Sequence, residues 1–216
     1  APNLARRLFG EGALSSAMVP VLTRTLRDRG EYESRKLVGG TLTASFVVLM
    51  LLLLLVELII GVWRLIHDDP ALRLTALMMP YMVLICIAAV ASGVLNVRDH
   101  FAVPAAAPTI LNVAMIAALV LGGAAGLGEL ALMDWTCVSV LLAGVAQVLA
   151  TGVALHLIGF FPVWNRAWSD PQLRSIASLM APMAIGLSAV QINTLLDSLI
   201  AYVFVVNEDG ERVGTA

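Results

Sequence analysis

Residues 38–63 read VGGTLTASFVVLMLLLLLVELIIGVW, an apolar run whose single charged residue, Glu57, lies near its end. An α-helix needs about 20 apolar residues to cross a hydrocarbon core roughly 30 Å thick. The run therefore predicts a transmembrane helix with Glu57 at its outer interface. Four further runs have the length of spans: Leu72–Val97, Val103–Gly126, Trp135–Phe161 and Leu173–Val206. A sixth segment, Pro2–Leu22, is more polar and rich in small residues, which predicts a helix lining an interior.

The composition agrees with a membrane protein. Hydrophobic residues make up 60% of the chain and charged residues 13%, and the mean hydropathy is +0.92. Soluble domains contain about 45–50% apolar and about 25% charged residues. The predicted fold class is therefore all-α, a polytopic transmembrane helix bundle. Cys86 and Cys137 lie in separate apolar runs without CxxC spacing, which predicts two buried thiols and no metal or redox site.

Positive charges divide unevenly between the connections that join the predicted spans. The first, third and fifth connections hold eight: Arg24, Arg27, Arg29, Arg35, Lys36, Arg98, Arg166 and Arg174. The second, fourth and terminal connections hold three: Arg64, Arg73 and Arg212. The fourth connection has only the acids Glu129 and Asp134. By the positive-inside rule, the odd-numbered connections are predicted to be cytoplasmic and residues 207–216 to lie outside.

Several kinds of chemistry have no motif in the sequence. There is no GxxxxGK[ST] phosphate-binding loop and no HExxH zinc motif. The three histidines, His67, His100 and His156, fall in separate places. No basic face suits a nucleic acid. We therefore expect no enzyme activity, no bound cofactor or metal, and no nucleic-acid partner.

Arg6, Arg7 and Glu11 place three charges in the helix-compatible stretch that opens the chain. An ionisable group in hydrocarbon costs at least about 2.5–3.5 kcal/mol, so it normally faces a partner or a wet cavity. On a helix, Arg7 and Glu11 share a face, whereas Arg6 points elsewhere. A guanidinium suits phosphate because its planar fork donates two parallel hydrogen bonds. The alternative is that both arginines extend to lipid headgroups at the interface.

A second polar site is predicted in the long last span, where Asn193 precedes Asp197 by one helical turn. An intramembrane carboxylate beside an amide can coordinate a cation or relay a proton. The alternative is a carboxyl group that is protonated or paired with another helix. Three lone polar residues in the spans are predicted to form interhelical hydrogen bonds: Asn112, Gln147 and His156.

The chain has no initiator Met and ends in a polar loop, so we expect an internal piece of a longer protein. Residues 2–20, PNLARRLFGEGALSSAMVP, closely resemble the second-helix signature of the MurJ/MviN lipid II flippases, a family of the MOP exporter superfamily. Residues 80–112, from Pro80-Tyr81 through GVLN to FAVPAAAPTILN, resemble the family's fourth helix, loop and fifth helix. Met180-Ala181-Pro182 through Gln191-Ile192 resembles its seventh helix.

This resemblance implies a two-lobed fold of fourteen helices. Residues 1–162 would form helices two to six of the N-terminal lobe. Residues 163–206 would form a cytoplasmic loop and the long helix seven that opens the C-terminal lobe, and residues 207–216 an extracytoplasmic loop. The implied protein is a monomeric, multi-pass transporter of the bacterial cytoplasmic membrane, in contact with membrane lipids.

The resemblance also implies roles for individual residues. Arg6 matches an arginine of the central cavity that is thought to hold the substrate's pyrophosphate, and Arg7 and Asn3 belong to the same substrate-binding motif. Glu11 matches the acidic residue implicated in gating. Asp197, with Asn193 nearby, lies where some members bind a cation, which implies coupling to sodium or protons.

The function implied is translocation of lipid II, the undecaprenyl-pyrophosphate-linked peptidoglycan precursor, by alternating access. Three other interpretations remain open from the residues alone. The chain could export another polyprenyl-linked glycan or an amphipathic drug, act as an integral-membrane enzyme on polyprenyl phosphates, or serve as a membrane scaffold without transport.

Overall fold

The computed structural model describes residues 13–66, 70–164, 170–179, 193 and 196. Five helices are α1 (Ala13–Arg64), α2 (Pro70–Met78), α3 (Pro80–Val97), α4 (Ala102–Ala124) and α5 (Glu129–Leu157), and a further helical stretch covers residues 171–179. Four stretches are long and apolar enough to cross a membrane: Ala17–Arg64, Pro70–Val97, Ala102–Ala124 and Glu129–Leu157. The described residues contain no strand. The predicted all-α polytopic bundle is confirmed.

Helix α1 contains the first connection, which the sequence analysis treated as a loop. The helix breaks at one residue only, Gly30, with φ 82° and ψ −173°. That region of backbone space is almost restricted to glycine. The residues beside the break are good helix formers, and Glu31 pairs with Arg35 at the favourable i,i+4 spacing. The first connection is therefore a one-residue break between two helical halves in place of a longer loop.

Helix α3 is the centre of the bundle. It packs most extensively against α1 and α5, and α4 packs mainly against α5. Twelve of its residues are buried, among them Val90 and Val94, which are fully inaccessible. Its second half joins an inner core cluster with Met18 and Leu22 of α1, and its first half joins an outer cluster with Leu49. Because both halves of α1 contact α3, the bend at Gly30 is held by packing on each side.

Helices α2 and α3 together correspond to the predicted span Leu72–Val97. They separate at Met79, directly before Pro80, which occupies the first position of α3. Proline is tolerated there because the first amide of a helix has no intrahelical acceptor. The helix pair thus forms one slightly interrupted stretch, Pro70–Val97, that is long and apolar enough to cross a membrane.

Helix α5 begins six residues earlier than predicted, at Glu129 in place of Trp135. Gly128 precedes it in an extended conformation, and Glu129 lies in the first turn, where a negative charge favours the helix dipole. The helix ends at Leu157 because Gly159 adopts a positive φ of 71°. The amides of Gly159 and Phe160 then donate to the carbonyls of His156 and Leu155, which completes a Schellman cap.

Candidate functional site

The residues predicted to bind substrate, gate the cavity and hold the cation lie almost wholly outside the described part of the chain: Asn3, Arg6, Arg7, Glu11 and Asp197. Asn193 is described as helical and exposed. Their roles therefore stay predictions. The structure does describe the end of the signature, residues 13–20 in α1, and the elements that hold this part of α1 in place.

The first half of α1 has two different faces. Ala17, Met18 and Leu22 are buried against α3, where Met18 lies so close to Gly93 that any side chain there would overlap its methyl group. The other side exposes Pro20, within the predicted span, and Thr23, directly after its end at Leu22. This segment therefore has one side fixed to the lobe and a more polar side directed away from it.

The second half of α1 is different, because its exposed side from Phe46 to Trp63 is almost entirely apolar. Leu51, Leu54, Leu55, Leu58 and Ile59 are each more than half exposed. Such a face suits the hydrocarbon of a bilayer. The apolar face of the second half agrees with contact with lipid, whereas the lining of an interior by the first half stays a prediction.

An ion cluster joins three connections at one end of the bundle. We name Glu31, Arg35 and Arg98 the inner ion cluster. Arg35 donates from Nε to Glu31 Oε1 at 3.1 Å, and Arg98 pairs with the other carboxylate oxygen of Glu31. Arg35 Nη2 also donates to the carbonyl oxygen of Gly159 at 2.8 Å. The first, third and fifth connections therefore meet at one end, as the predicted topology requires.

Phe160 lies beneath this cluster. Its ring centroid is 5.7 Å from Arg35 Cζ and 5.4 Å from Arg98 Cζ, distances typical of cation–π contacts. Residues 159–164, which we name the strap, continue from Phe160 along α1. The amide of Val163 donates to the carbonyl oxygen of Arg35 at 3.1 Å, and the carbonyl of Val163 rests directly on Gly39.

The hydrogen bond from Arg98 is the main reason why the pKa of Glu31 is lowered from its ordinary value of 4.5, with burial acting against it and Arg35 adding to it. Since the folded pKa is below the unfolded one, the carboxylate contributes stability above pH 4.5. This contribution is lost as the pH falls through the lowered value. The stabilisation is therefore fully present at neutral pH.

We expect Glu31→Gln to destabilise the protein by about 1 kcal/mol at neutral pH, the upper end of what partly exposed ion pairs contribute. The matched control is Glu33→Gln, whose pair with Lys36 spans one turn at 3.7 Å and joins no second element. Thermal unfolding in detergent at neutral and acidic pH measures the melting temperatures of both variants and of the wild type. Glu31→Gln should narrow the difference in melting temperature between the two pH values. A narrowing of equal size in Glu33→Gln would contradict the prediction.

At the opposite end of the bundle, an ion pair joins two of the described helices. Arg73 of α2 binds Asp134 of α5, which joins the second predicted connection to the fourth. Asp134 was assigned to a loop, but it lies in the second turn of α5. Even-numbered connections thus meet at the end opposite to the inner ion cluster. Which end faces the cytoplasm stays a prediction of the positive-inside rule.

Among the lone polar residues, Gln147 forms the predicted interhelical bonds. Its side chain is 1% exposed, donates to the carbonyl oxygen of Ala107 in α4 at 2.6 Å, and accepts from the Tyr81 hydroxyl of α3 at 3.5 Å. Asn112 is instead exposed on α4, and the exposed His156 makes an edge-to-face contact with Phe161. Cys86 and Cys137 are buried free thiols, as predicted.

A small polar cavity of about 250 Å³ lies where the inner end of the first half of α1 meets the helical stretch 171–179. Its polar lining includes Arg24, Asp28, Arg29, Gln172 and Ser175. In the amide orientation that satisfies both partners, Gln172 accepts from two nitrogens of Arg29 at 3.0 and 3.3 Å. The signature helix is therefore connected to the segment that leads towards Asn193.

The inner ion cluster was missed by the sequence analysis. The Glu31–Arg35 spacing was visible as an i,i+4 pair, but Arg98 is 67 positions from Glu31. No local pattern connects the two residues. Only the packing of α3 on α1 brings them together.

A family model described as "Lipid II flippase MurJ" matches residues 1–208. Curated relatives agree. The lipid II flippase MurJ of Burkholderia cenocepacia is 32% identical over 93% of this chain and 41% of its own length. Probable lipid II flippases MurJ from Rhizobium meliloti and Vibrio cholerae are 32% and 34% identical over 93% of this chain, and 39% and 41% of their own.

The chain thus spans about two fifths of the length of these relatives. The family match covers the signature of residues 2–20 and all five described helices. Four apolar stretches of spanning length agree with a protein of the bacterial cytoplasmic membrane. The chain belongs to the MurJ lipid II flippase family.

Proposed function

We propose that the protein containing this chain is a transporter that moves lipid II across the bacterial cytoplasmic membrane by alternating access. The observation that carries the proposal is the family match over residues 1–208, which includes the signature containing Arg6. The relatives bear the same functional name. We also propose that the transporter acts as a monomer.

The physical problem in such transport is the pyrophosphate. Moving an isolated charge into a low-dielectric medium is very costly unless it is paired. A cavity lined by guanidinium groups lowers this cost because each group stays protonated and donates two parallel hydrogen bonds to phosphate. We propose that Arg6, Arg7 and Asn3 contribute to this cavity and that Glu11 takes part in gating.

We propose that an ion gradient or the membrane potential supplies the driving force, since residues 1–216 contain no nucleotide-binding loop. We propose that a monovalent cation, sodium or a proton, binds near Asp197 and Asn193. A carboxylate held within the membrane can bind a cation on one side and release it on the other. Binding of this kind would bias the two access states of the transporter.

The described helices support a lobe that moves as one unit. The inner ion cluster and the strap tie α1, α3 and α5 together at one end, and Arg73–Asp134 ties α2 to α5 at the other. Gln147 connects α3, α4 and α5 between these ends. Bonds at both ends and in the middle favour motion between lobes over motion within this one.

The substrate is tested by competition on the purified full-length protein. Native mass spectrometry would follow lipid II binding against another undecaprenyl-pyrophosphate sugar and an amphipathic cationic drug. We expect lipid II to be retained in excess of either competitor. Preferential binding of the other glycan or of the drug would favour the alternative exporter function and overturn the assignment of lipid II.

A further inference from the structure

A groove of about 570 Å³ runs along the inner half of the bundle between α1 and α5. Its floor is α3, through Ile87 and Ala91. One wall is α1, with Phe46, and the other is α5, with Gly152. The strap closes one end, where its aromatic residues line the groove. We name this cavity the α3 groove.

The lining of the α3 groove is almost entirely apolar. Its polar side chains are Thr151 and His156. The Thr151 hydroxyl is already used, because it donates to the carbonyl oxygen of Gln147 in its own helix at 2.9 Å. Cavities of roughly 300–1,000 Å³ are typical of sites for small molecules. The chemistry of the walls selects a hydrocarbon chain.

The groove opens beside a surface suited to lipid. Leu142, Val145, Leu149 and Val153 form an exposed apolar stripe along α5, at the three- and four-residue spacing of one helix face. Gly152 and His156 border this stripe and are exposed themselves. An acyl chain of the surrounding bilayer can therefore enter the groove from the side, without crossing a polar barrier.

Charge and aromatic residues gather at the closed end. Phe160 lines the groove, and the guanidinium groups of Arg35 and Arg98 lie over its ring. With Glu31, the two arginines leave one net positive charge. Trp164 and Phe161 of the strap are 76% and 51% exposed, and aromatic side chains of this kind are enriched at the membrane–water interface.

We propose that the α3 groove is a binding site for one phospholipid of the cytoplasmic leaflet, whose acyl chain fills the groove and whose phosphate lies beside His156, Arg35 and Arg98. An apolar cavity open to lipid, with cations and aromatic residues at its interfacial end, matches both parts of such a molecule. The proposal depends on the membrane topology and not on the transported substrate.

Glycine substitutions offer a direct test. A Cβ atom at Gly152 meets no atom within 4 Å, so Gly152→Leu adds a side chain that starts in open space at the wall of the groove and is expected to occupy part of it. Gly61 is also exposed and open on α1 but does not line the groove, which makes Gly61→Leu the matched control. Both variants would be made in the full-length protein and placed in nanodiscs containing a phospholipid with a diazirine on its acyl chain.

After irradiation, we expect the wild type and Gly61→Leu to be labelled within residues 148–164. Labelling in Gly152→Leu should fall roughly tenfold, because the leucine displaces about two methylene groups of the bound chain. Gly152→Ala, which favours the helix, should give an intermediate reduction and serves if the leucine variant does not fold. A diacylglycerol probe without phosphate should label the wild type less than the phospholipid does.

Four results would overturn the proposal. Equal labelling of residues 148–164 in the wild type and Gly152→Leu would show that the groove does not hold the lipid. Equal labelling by diacylglycerol and by the phospholipid would show that the phosphate does not contribute to binding. Loss of wild-type labelling on adding lipid II would identify the occupant as the polyprenyl tail. A disulfide between Gly152→Cys and a cysteine introduced elsewhere in the chain would show that protein covers the groove.

Discussion

Replacing Arg6 by alanine in the full-length protein is expected to abolish flipping of lipid II while leaving membrane insertion intact. The change removes a fixed positive charge from the cavity that we propose for the pyrophosphate. Truncating one partner of a buried, hydrogen-bonded charge pair typically costs 2–5 kcal/mol or more, which is roughly a 30- to 5,000-fold loss. The rate of flipping would be measured in proteoliposomes with a fluorescent analogue of lipid II.

Two companion variants separate the causes of that loss. Arg6→Lys retains the charge but lacks the planar fork, so we expect partial activity. Arg27→Ala removes a positive charge from the exposed inner end of the first half of α1 and should leave the rate close to that of the wild type. Cells in which the Arg6→Ala variant is the only form of the transporter should not grow. Normal growth of such cells would exclude the role assigned to Arg6.

The second large effect is expected at Gly39, where the strap crosses α1. A methyl group at this position would overlap the carbonyl of Val163 and lie 3.2 Å from the amide nitrogen of Trp164. Both are backbone atoms, which cannot rotate away as a side chain can. We expect Gly39→Ala to lower stability by roughly 1–3 kcal/mol, as overpacking of a close contact does.

Gly40 provides the control one residue further along. It lies in the same helix, and a methyl group there meets nothing within 4 Å. Both substitutions improve helix propensity equally, so the difference between them isolates the contact with the strap. Thermal unfolding in detergent should show Gly40→Ala equal to or more stable than the wild type. If Gly39→Ala and Gly40→Ala have the same melting temperature, the strap does not contact Gly39 in solution.

Limited proteolysis gives a second measurement of the same contact. Arg166 follows the strap in the chain and is a site for trypsin. Displacement of the strap should increase the rate of cleavage there in Gly39→Ala and leave it unchanged in Gly40→Ala. This readout reports the position of the segment and does not depend on global unfolding.

The sequence predicted the approximate positions of the apolar stretches around Val38–Trp63, Leu72–Val97, Val103–Gly126 and Trp135–Phe161, because a run of about twenty apolar residues is typical of a membrane span. It also predicted that Gln147 would bond between helices and that both cysteines would be buried. The helix ends were less certain. At Glu129 the signals for a helix start outweighed the polarity of the segment, so α5 begins earlier than predicted. Between Arg24 and Lys36, where a connection was predicted, the charged residues are helical on both sides of Gly30.

The tertiary contacts could not be predicted from local patterns. Arg98 pairs with Glu31, and Arg73 pairs with Asp134. The partners are far apart in the sequence, and only the folding of the bundle brings them into contact. The strap requires glycine at position 39, because the carbonyl of Val163 occupies the space of a side chain there. Nothing in the sequence around Gly39 indicates this contact. For the candidate substrate site, the resemblance in residues 2–20 supplied the roles, since single arginines are equally compatible with lipid headgroups.

The single-residue break at Gly30 has a mechanical consequence. Residues 13–29 form a stiff rod about 25 Å long, at 1.5 Å per residue, and this rod is joined to the rest of α1 by one pair of backbone torsions. Because Met18 and Leu22 fasten the rod to α3, it turns together with the lobe. A turn of the lobe by about 10° moves the far tip of the rod by roughly 4 Å relative to the end at Gly30. A small rotation at one membrane face is thereby magnified at the other.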